Sequence, residues 1–264
     1  MSDELLVRIE NHVAVITINR PNSYNAINTH LLDEIPKALQ AVAENADVGC
    51  VVITGAGKAF CSGGDVADQV AAAEGTTKSS EEMMDDLRRA IEGARWLHEM
   101  PKPTIAMVNG VAAGAGMTMA LACDMRIAGK KARMTTAFAK VGFSGDYGGD
   151  YFLPRLVGTA KARELYFTSE ILDSAQIEAL GLANRVVPDE DLEKVTMELA
   201  TQLGNGPRVA WRYMKQNMKI GETGSLSDVL DSECAGIRRC RETEDHKEAA
   251  KAFMEKRPPV FRGR

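Results

Sequence analysis

Leu5 to Ile9 and Val13 to Ile18 alternate apolar and polar side chains, with Glu10-Asn11-His12 between the two runs. A period of two places alternate residues on one face, so the pattern predicts two strands joined by a tight turn. The period then lengthens. Leu31, Leu32, Ile35 and Leu39 recur at helical spacing behind Asn28 and Thr29, either of which can cap a helix. Cys50-Val51-Val52-Ile53-Thr54 is a β-branched run closed by Gly55-Ala56-Gly57, which predicts a buried strand and a turn. Residues 66–80, rich in Ala, Ser, Thr and Gly, predict a short helix followed by a mobile loop. Leu87, Ile91, Ala94, Leu97 and His98 predict one longer helix, ended by Pro101-Lys102-Pro103.

Thr104 to Val108 reads as the next buried strand, and Asn109-Gly110 turns the chain. Gly114-Ala115-Gly116 opens a helix through Met119, Leu121 and Ala122, whose apolar row reads as core. Gly142 to Gly149 is a glycine-rich loop, and from Gly206 onward the pattern predicts helices broken at Gly221, Gly224 and Thr243. The coarse picture is an α/β body over residues 1–203 with a helical region over 204–264.

The 264 residues are 45% hydrophobic and 26% charged, enough to bury one large core. With 32 basic against 37 acidic residues the net charge is -5, which gives no reason to expect nucleic acid as a partner. Lys130, Lys131 and Arg133, and again Lys251, Lys256 and Arg257, form small basic clusters. Each is either solvated surface or a landing place for a ligand's phosphates. No run approaches the roughly twenty apolar residues of a membrane span. Met1-Ser2-Asp3-Glu4 lacks the basic head and apolar body of a signal peptide, so a cytoplasmic location without membrane partners is expected. Five cysteines without a C-x-x-C pair read as reduced thiols, and four scattered histidines predict no metal site.

Gly55-Ala56-Gly57-Lys58 is not a phosphate loop, because Ala59 follows the Lys where Ser or Thr would meet magnesium. Gly114-x-Gly116 lacks the third glycine of a dinucleotide fingerprint, since Met119 stands there. Two glycine turns remain, Phe60-Cys61-Ser62-Gly63-Gly64-Asp65 and Ala112-Ala113-Gly114-Ala115-Gly116, each after a buried strand. Small residues leave backbone N–H groups uncovered. Two such turns that converge, one of them starting a helix, would point two donors at one oxygen and form an oxyanion hole. Two turns that do not converge are ordinary packing.

At these residues the chain resembles the crotonase (enoyl-CoA hydratase/isomerase) superfamily. Ile18-Asn19-Arg20-Pro21 with Asn25-Ala26 is similar to that family's first βα turn, and Lys58 to Asp65 to its first oxyanion segment. Lys102-Pro103 through Asn109-Gly110 to Cys123-Asp124 is similar to the second. Leu153 to Gly158, Gly181-Leu182-Ala183 with Val186-Val187, and the closing Ala252 to Arg257 match later landmarks. The resemblance implies a spiral of ββα units followed by a C-terminal helical region that mediates trimerisation, with trimers pairing into hexamers. It implies an acyl-CoA substrate, coenzyme A being part of that substrate, and no separate cofactor. The amides of Gly64 and Ala115 would hold the thioester oxygen of an enolate intermediate. The CoA and acyl groups would meet Asn22, Ser23, Tyr24, Ala26, Ser62, Asp65, Val66, Thr118 and Phe138. Phe253 and Lys256, from a neighbouring subunit or the same one, would complete the nucleotide site.

Hydratases of this family carry two water-holding glutamates, and the positions that match them here are Thr118 and Phe138. Neither can act as a carboxylate base. Asp146, in Gly142-Phe143-Ser144-Gly145-Asp146-Tyr147-Gly148-Gly149, falls where isomerases of the family place a catalytic aspartate. One carboxylate that removes a proton at one carbon and returns it at another suffices to move a double bond. The competing role for Asp146 is a cap on the helix that follows. Asp150 and Glu164 are rival carboxylates. The resulting expectation is a double-bond isomerase. A hydratase for a cyclic or branched acyl group and a catalytically silent binding protein of the same fold are the alternatives.

Overall fold

The computed structural model describes residues 2–74 and 77–264. It opens with the expected hairpin: β1 (Leu5–Glu10) and β2 (Val13–Ile18) pair antiparallel, Leu5 opposite Ile18 and Glu10 opposite Val13. Asn11 and His12 both take positive φ, 50° and 63°, as a two-residue hairpin turn requires. α1 (Thr29–Glu44) is capped by Asn28, whose Oδ1 accepts from the Leu31 N–H at 2.9 Å. β3 (Cys50–Gly55) is buried along its whole length, which is why its sequence is a continuous apolar run. β4 (Ala59–Cys61), α2 (Val66–Glu74), α3 (Ser80–Ala90) and α4 (Glu92–Glu99) follow. Then come β5 (Thr104–Val108), β6 (Val111–Ala113), α5 (Ala115–Ala122), β7 (Met125–Gly129) and β8 (Arg133–Thr135).

The strands sort into two sheets. Six form the order β1-β2-β3-β5-β7-β9, where β9 is Arg185–Val187, and β4-β6-β8 form a second sheet. Every strand-to-strand pairing after the hairpin is parallel, and an isolated antiparallel bridge joins Met134 of β8 to Leu172. Three successive passes, β3 with β4, β5 with β6 and β7 with β8, each give one strand to the large sheet and, after a turn, one to the small sheet. That is the spiral of ββα units the resemblance implies.

α6 (Gly149–Val157), α7 (Thr159–Thr168) and α8 (Ser174–Ala179) lead into β9. α9 (Leu192–Gly204) covers one face of the large sheet, where Leu192 and Ala200 cluster with Val13, Cys50, Val52, Ile105 and Ile127. The larger core, on the other face, joins α1, α4 and α5 to the small sheet. α10 (Arg208–Thr223) and α11 (Leu226–Cys240) form a helical hairpin, and α12 (Glu244–Glu255) ends the helices. Asp245 of α12 accepts from the Arg262 and Gly263 N–H groups at 2.6 and 2.9 Å, tying down the last residues. Among the described residues, no helix is long and apolar enough to cross a membrane.

Three expectations change. The single helix over 87–98 is two helices, broken at Ile91. The break lets α4 bury Gly93, Ala94 and Leu97, while α3 lies on the surface and buries only Ala90. Gly221 does not interrupt α10, which runs on to Thr223; an exposed helical Gly costs only about 1 kcal/mol. The loop expected within 66–80 is shorter, since α2 extends to Glu74 and Ser79 already caps α3; residues 75 and 76 lie outside the described residues.

Candidate active site

The first glycine turn is fixed by a parallel bridge between Ile27 and Gly64. The Ile27 N–H donates to Gly63 O at 2.8 Å, and the Asp65 N–H donates to Ile27 O at 2.9 Å. In parallel pairing the residue between those two partners turns its own N–H to the opposite side. Gly64 therefore presents its amide away from Ile27. The second turn is fixed by the Gly114 N–H, which donates to Thr135 O at 3.0 Å. Gly114 has φ 51°, and Ala115 is the first residue of α5, where a backbone N–H has no partner within the helix. Among the described residues, neither the Gly64 nor the Ala115 N–H donates to a protein acceptor.

Glycine brings the two turns into contact. A Cβ on Gly63, whose φ is +102°, would stand 3.0 Å from Ala113 O and 3.8 Å from the Ala115 nitrogen. A Cβ on Gly116 would stand only 2.1 Å from Cys61 O. The N-terminus of α5 thus lies directly against the first turn, with its positive dipole end there. Burial pushes the Cys61 thiol up to about 12, so this sulfur is no nucleophile at neutral pH; it accepts from the Gly63 N–H at 3.4 Å.

Residues 20–26 form the rim of the first turn. Ser62 N–H donates to Tyr24 O at 3.0 Å and Ser62 Oγ donates to Ser23 O at 3.5 Å. Arg20 bonds Ala26 O at 2.6 Å and the Asp65 carboxylate at 2.9 Å, and this guanidinium holds the Asp65 carboxyl below its usual range. Asn22, Ser23, Tyr24, Ala26, Ser62 and Asp65 are thereby brought together, with Val66 exposed at the start of α2. Phe253 and Lys256 stand apart. Phe253 is 82% exposed on α12, and among the described residues no hydrogen bond or ion pair links either to residues 20–66. Sequence reasoning passed over Asn25, which is fully buried. It accepts from the Arg20 N–H at 2.9 Å and donates to Ala56 O and Ala59 O at 2.9 and 2.7 Å. Its place beside Pro21 and Ala26 in the first motif was the available signal.

Thr118 and Phe138 both reach the second turn. Thr118 is buried one helical turn into α5, its hydroxyl spent on Gly114 O and Ala115 O at 3.3 and 3.1 Å. The Phe138 ring lies against Gly114 and stacks on Tyr166, centroids 6.0 Å apart and planes 15° apart. Asp146 is half-buried in the glycine-rich loop. Its Oδ1 accepts from the Tyr147 N–H at 2.7 Å, and no cation pairs with it among the described residues. Burial raises its carboxyl to about 6. It does not cap α6: Gly148 holds the cap position, without a side-chain cap bond. The Asp150 carboxyl is also raised by burial, and its Oδ2 closes over Gly145, 2.3 Å from where a Cβ would be. Glu164 lies on the exposed face of α7, paired with Lys161 at 2.8 Å. Among the described residues, no group of His, Cys, Asp or Glu could hold a metal ion.

Residues 8–264 match the family model described as enoyl-CoA hydratase/isomerase. The chain is 34% identical to the 1,2-epoxyphenylacetyl-CoA isomerase of Escherichia coli, with all of both chains covered. It is 32% identical to the short-chain-enoyl-CoA hydratase of Clostridium acetobutylicum, over 97% of this chain and 96% of that one. The crystal structure of the enoyl-CoA hydratase from Bacillus anthracis superposes with a TM-score of 0.91 at 30% identity, covering 99% of this chain and 100% of the other. Sequence, fold and the paired glycine turns agree: this chain is an enzyme of the enoyl-CoA hydratase/isomerase family, with the crotonase fold.

Proposed function

We propose that the protein is an acyl-CoA double-bond isomerase whose one proton-carrying base is Asp146. The observation that carries this reading is the inventory of carboxylates around the second turn. Thr118 and Phe138 supply none, and the half-buried Asp146, its carboxyl near 6, is the acid in the loop beside them. The Asp146 carboxylate removes a proton from the α-carbon of a 3-enoyl thioester. The electron pair of that C–H bond becomes the double bond between the α-carbon and the thioester carbon, and the carbonyl π pair moves onto the thioester oxygen, where the amides of Gly64 and Ala115 hold the negative charge. The protonated Asp146 then returns the proton at the γ-carbon, and the double bond ends between the α and β carbons. A carboxyl near 6 both accepts and returns a proton efficiently near neutral pH.

The rim residues Asn22, Ser23, Tyr24, Ala26, Ser62, Asp65 and Val66 would receive the CoA portion. Phe253 and Lys256 would reach it from a neighbouring subunit of a trimer or a hexamer, since within one chain they stand apart from the rim. A cytoplasmic location and the absence of a separate cofactor belong to the same reading. One observation favours a second reading: Asp150, its carboxyl also raised by burial, could share a water with Asp146 and make the enzyme a hydratase.

Incubation with 3-enoyl- and 2-enoyl-CoA in deuterated water separates the two. Deuterium at the α or γ carbon without added water supports isomerisation, and net hydration supports the second reading. Asp146→Asn should abolish exchange; near-normal exchange in a folded Asp146→Asn protein removes Asp146 from the mechanism.

A further inference from the structure

The C-terminal end of α5 borders a cavity of about 480 Å³ between α10 and the body of the chain. A volume of several hundred Å³ suits a small molecule. The cavity is separate from the site described above. Its lining includes none of Gly64, Ala115 or Asp146, and α5 puts roughly 12 Å between Ala115 and Cys123. Leu121, Phe152, Leu156, Trp211, Met214 and Met218 make its wall largely apolar, and the last two remain 48% and 71% exposed. Arg126 lines the same cavity although only 4% of it is exposed. Its Nε donates to Leu182 O at 2.8 Å, and its Nη1 to Cys123 O and Leu121 O at 2.8 and 3.4 Å, carbonyls at the end of α5. Nη2 donates to no protein acceptor among the described residues, yet it is not one of the sealed polar atoms that lack a partner. That nitrogen is therefore open to the cavity.

A buried charge is normally paired, because leaving water is costly. No carboxylate lies within ion-pair distance of Arg126 among the described residues. Asp124 attracts it from farther off, and is itself spent on Lys215 at 2.7 Å. Glu222, the other carboxylate of the lining, accepts from Tyr151 Oη at 2.6 Å and pairs with His98 at 3.2 Å. Lys219 is taken by Glu99 at 2.9 Å, outside the cavity. Arg155 lies over the Tyr151 ring and likewise has no carboxylate among the described residues. Two guanidiniums without an anion thus share an apolar wall. We propose that this cavity is a second ligand site, for an aliphatic carboxylate whose head meets Arg126 and whose chain lies along Phe152, Met214 and Met218. Arginine suits such a head, since it stays charged when buried and binds carboxylates with charge-assisted hydrogen bonds. A group that is 4% exposed is reached more readily by a small carboxylate than by the face of a second copy of the chain. The inference does not rest on the isomerase reading.

The test is calorimetry on the full-length protein, titrated with octanoate, octanamide and propanoate in the presence and absence of saturating octanoyl-CoA. That thioester occupies an acyl-CoA site and has no double bond to move. Octanoate should bind at least about tenfold tighter than octanamide, which lacks the charge, and than propanoate, which lacks the chain. Octanoyl-CoA should leave octanoate affinity within about twofold. Arg126→Gln, which keeps a donor for the carbonyls, should bring octanoate down to the level of octanamide. Met214→Trp, which fills the cavity from its exposed side, should weaken octanoate at least about tenfold and serves where Arg126→Gln does not fold. Equal binding of octanoate and octanamide, or a preference that survives in Arg126→Gln, overturns the inference. Competition between octanoyl-CoA and octanoate also overturns it, by placing octanoate in the acyl-CoA site. Failure of octanoate to bind overturns it as well, and a loss of mass on Met214→Trp in sedimentation would then assign the cavity to a second copy.

Discussion

Gly116→Ala is the sharpest probe of the paired amides, because it moves one of them without touching any side chain assigned a role. The new methyl would lie 2.1 Å from Cys61 O and 2.7 Å from Cys61 Cβ. A carbon–oxygen contact relaxes only at about 3.3 Å, so α5 must retreat from β4 by roughly 1 Å. Neither neighbour can yield easily. Cys61 is fully buried in β4 and paired to β6, and all eight residues of α5 are buried. The retreat carries the Ala115 N–H away from the Gly64 N–H by a similar distance. Misplacing a reacting group by 1 Å can cost about 10²-fold, and losing one oxyanion donor costs about 10²–10³-fold. Overpacking of this kind destabilises by about 1–3 kcal/mol, so the variant should still fold. Gly142→Ala is the control, since a Cβ there meets nothing within 4 Å and only its φ of +72° is strained. The assay is deuterium exchange into a 3-enoyl-CoA at saturating concentration, alongside denaturant unfolding of both variants. A fall of about 100-fold for Gly116→Ala, with near-native exchange for Gly142→Ala, is expected. Gly116→Ala protein that folds and exchanges within twofold of native would refute the claim that these two amides act together.

Exchange should fall about tenfold per pH unit below pH 6 and level off above it, because the base works as the carboxylate and burial has raised it to about 6; a rate independent of pH from 5 to 8 contradicts this. The folded protein holds the Asp146 proton to higher pH than the unfolded chain does, so stability from this group is present below pH 3.8 and lost as pH rises through 6. Asp146→Asn should therefore unfold at higher temperature than native protein at pH 7, while differing little at pH 3.5. Asn25→Ala strips partners from the Arg20 N–H and from two carbonyls, and should cost about 3 kcal/mol in denaturant unfolding; a loss below about 1 kcal/mol would mean water replaces the amide. Phe253 and Met254 are 82% and 80% exposed on α12, so an assembly that covers them should lose mass in sedimentation on Phe253→Glu; an unchanged mass excludes α12 from the interface.

The elements legible in the sequence were those whose signal is local. The alternation in β1 and β2, the Asn28 cap and the wholly apolar β3 each follow from backbone geometry acting over a few residues. The break at Ile91 was not legible, because residues 87–98 keep one helical period and only packing against α1 decides where the buried stripe turns. The small sheet was equally hidden: β4, β6 and β8 are three residues each, too short for a periodic signature, and exist because the large sheet sets their spacing.

The candidate site divides along the same line. Glycine announces itself, since only a residue without Cβ tolerates the φ of +102° at Gly63 or the 2.1 Å approach at Gly116. Two glycine turns could therefore be picked out before their convergence was known. Asp146 stood out for being acidic in a loop of small residues, yet whether it capped α6 depended on where the helix starts: Gly148 takes the cap position, and Asp146 Oδ1 is engaged by the Tyr147 N–H instead. Tyr166 gave no signal at all. It occupies an ordinary position in a half-exposed helix, and its hydroxyl loses hydrogen-bond partners only where α5, α6 and α7 meet at Gly149. A buried hydroxyl without a partner is a property of three-dimensional neighbours, and sequence records neighbours only along the chain. Substrate selectivity is for that reason the least legible part of such an enzyme: in the mechanism proposed above the reaction rests on backbone amides and one carboxylate, residue types that stand out in a sequence, whereas selectivity rests on which side chains close the space around them.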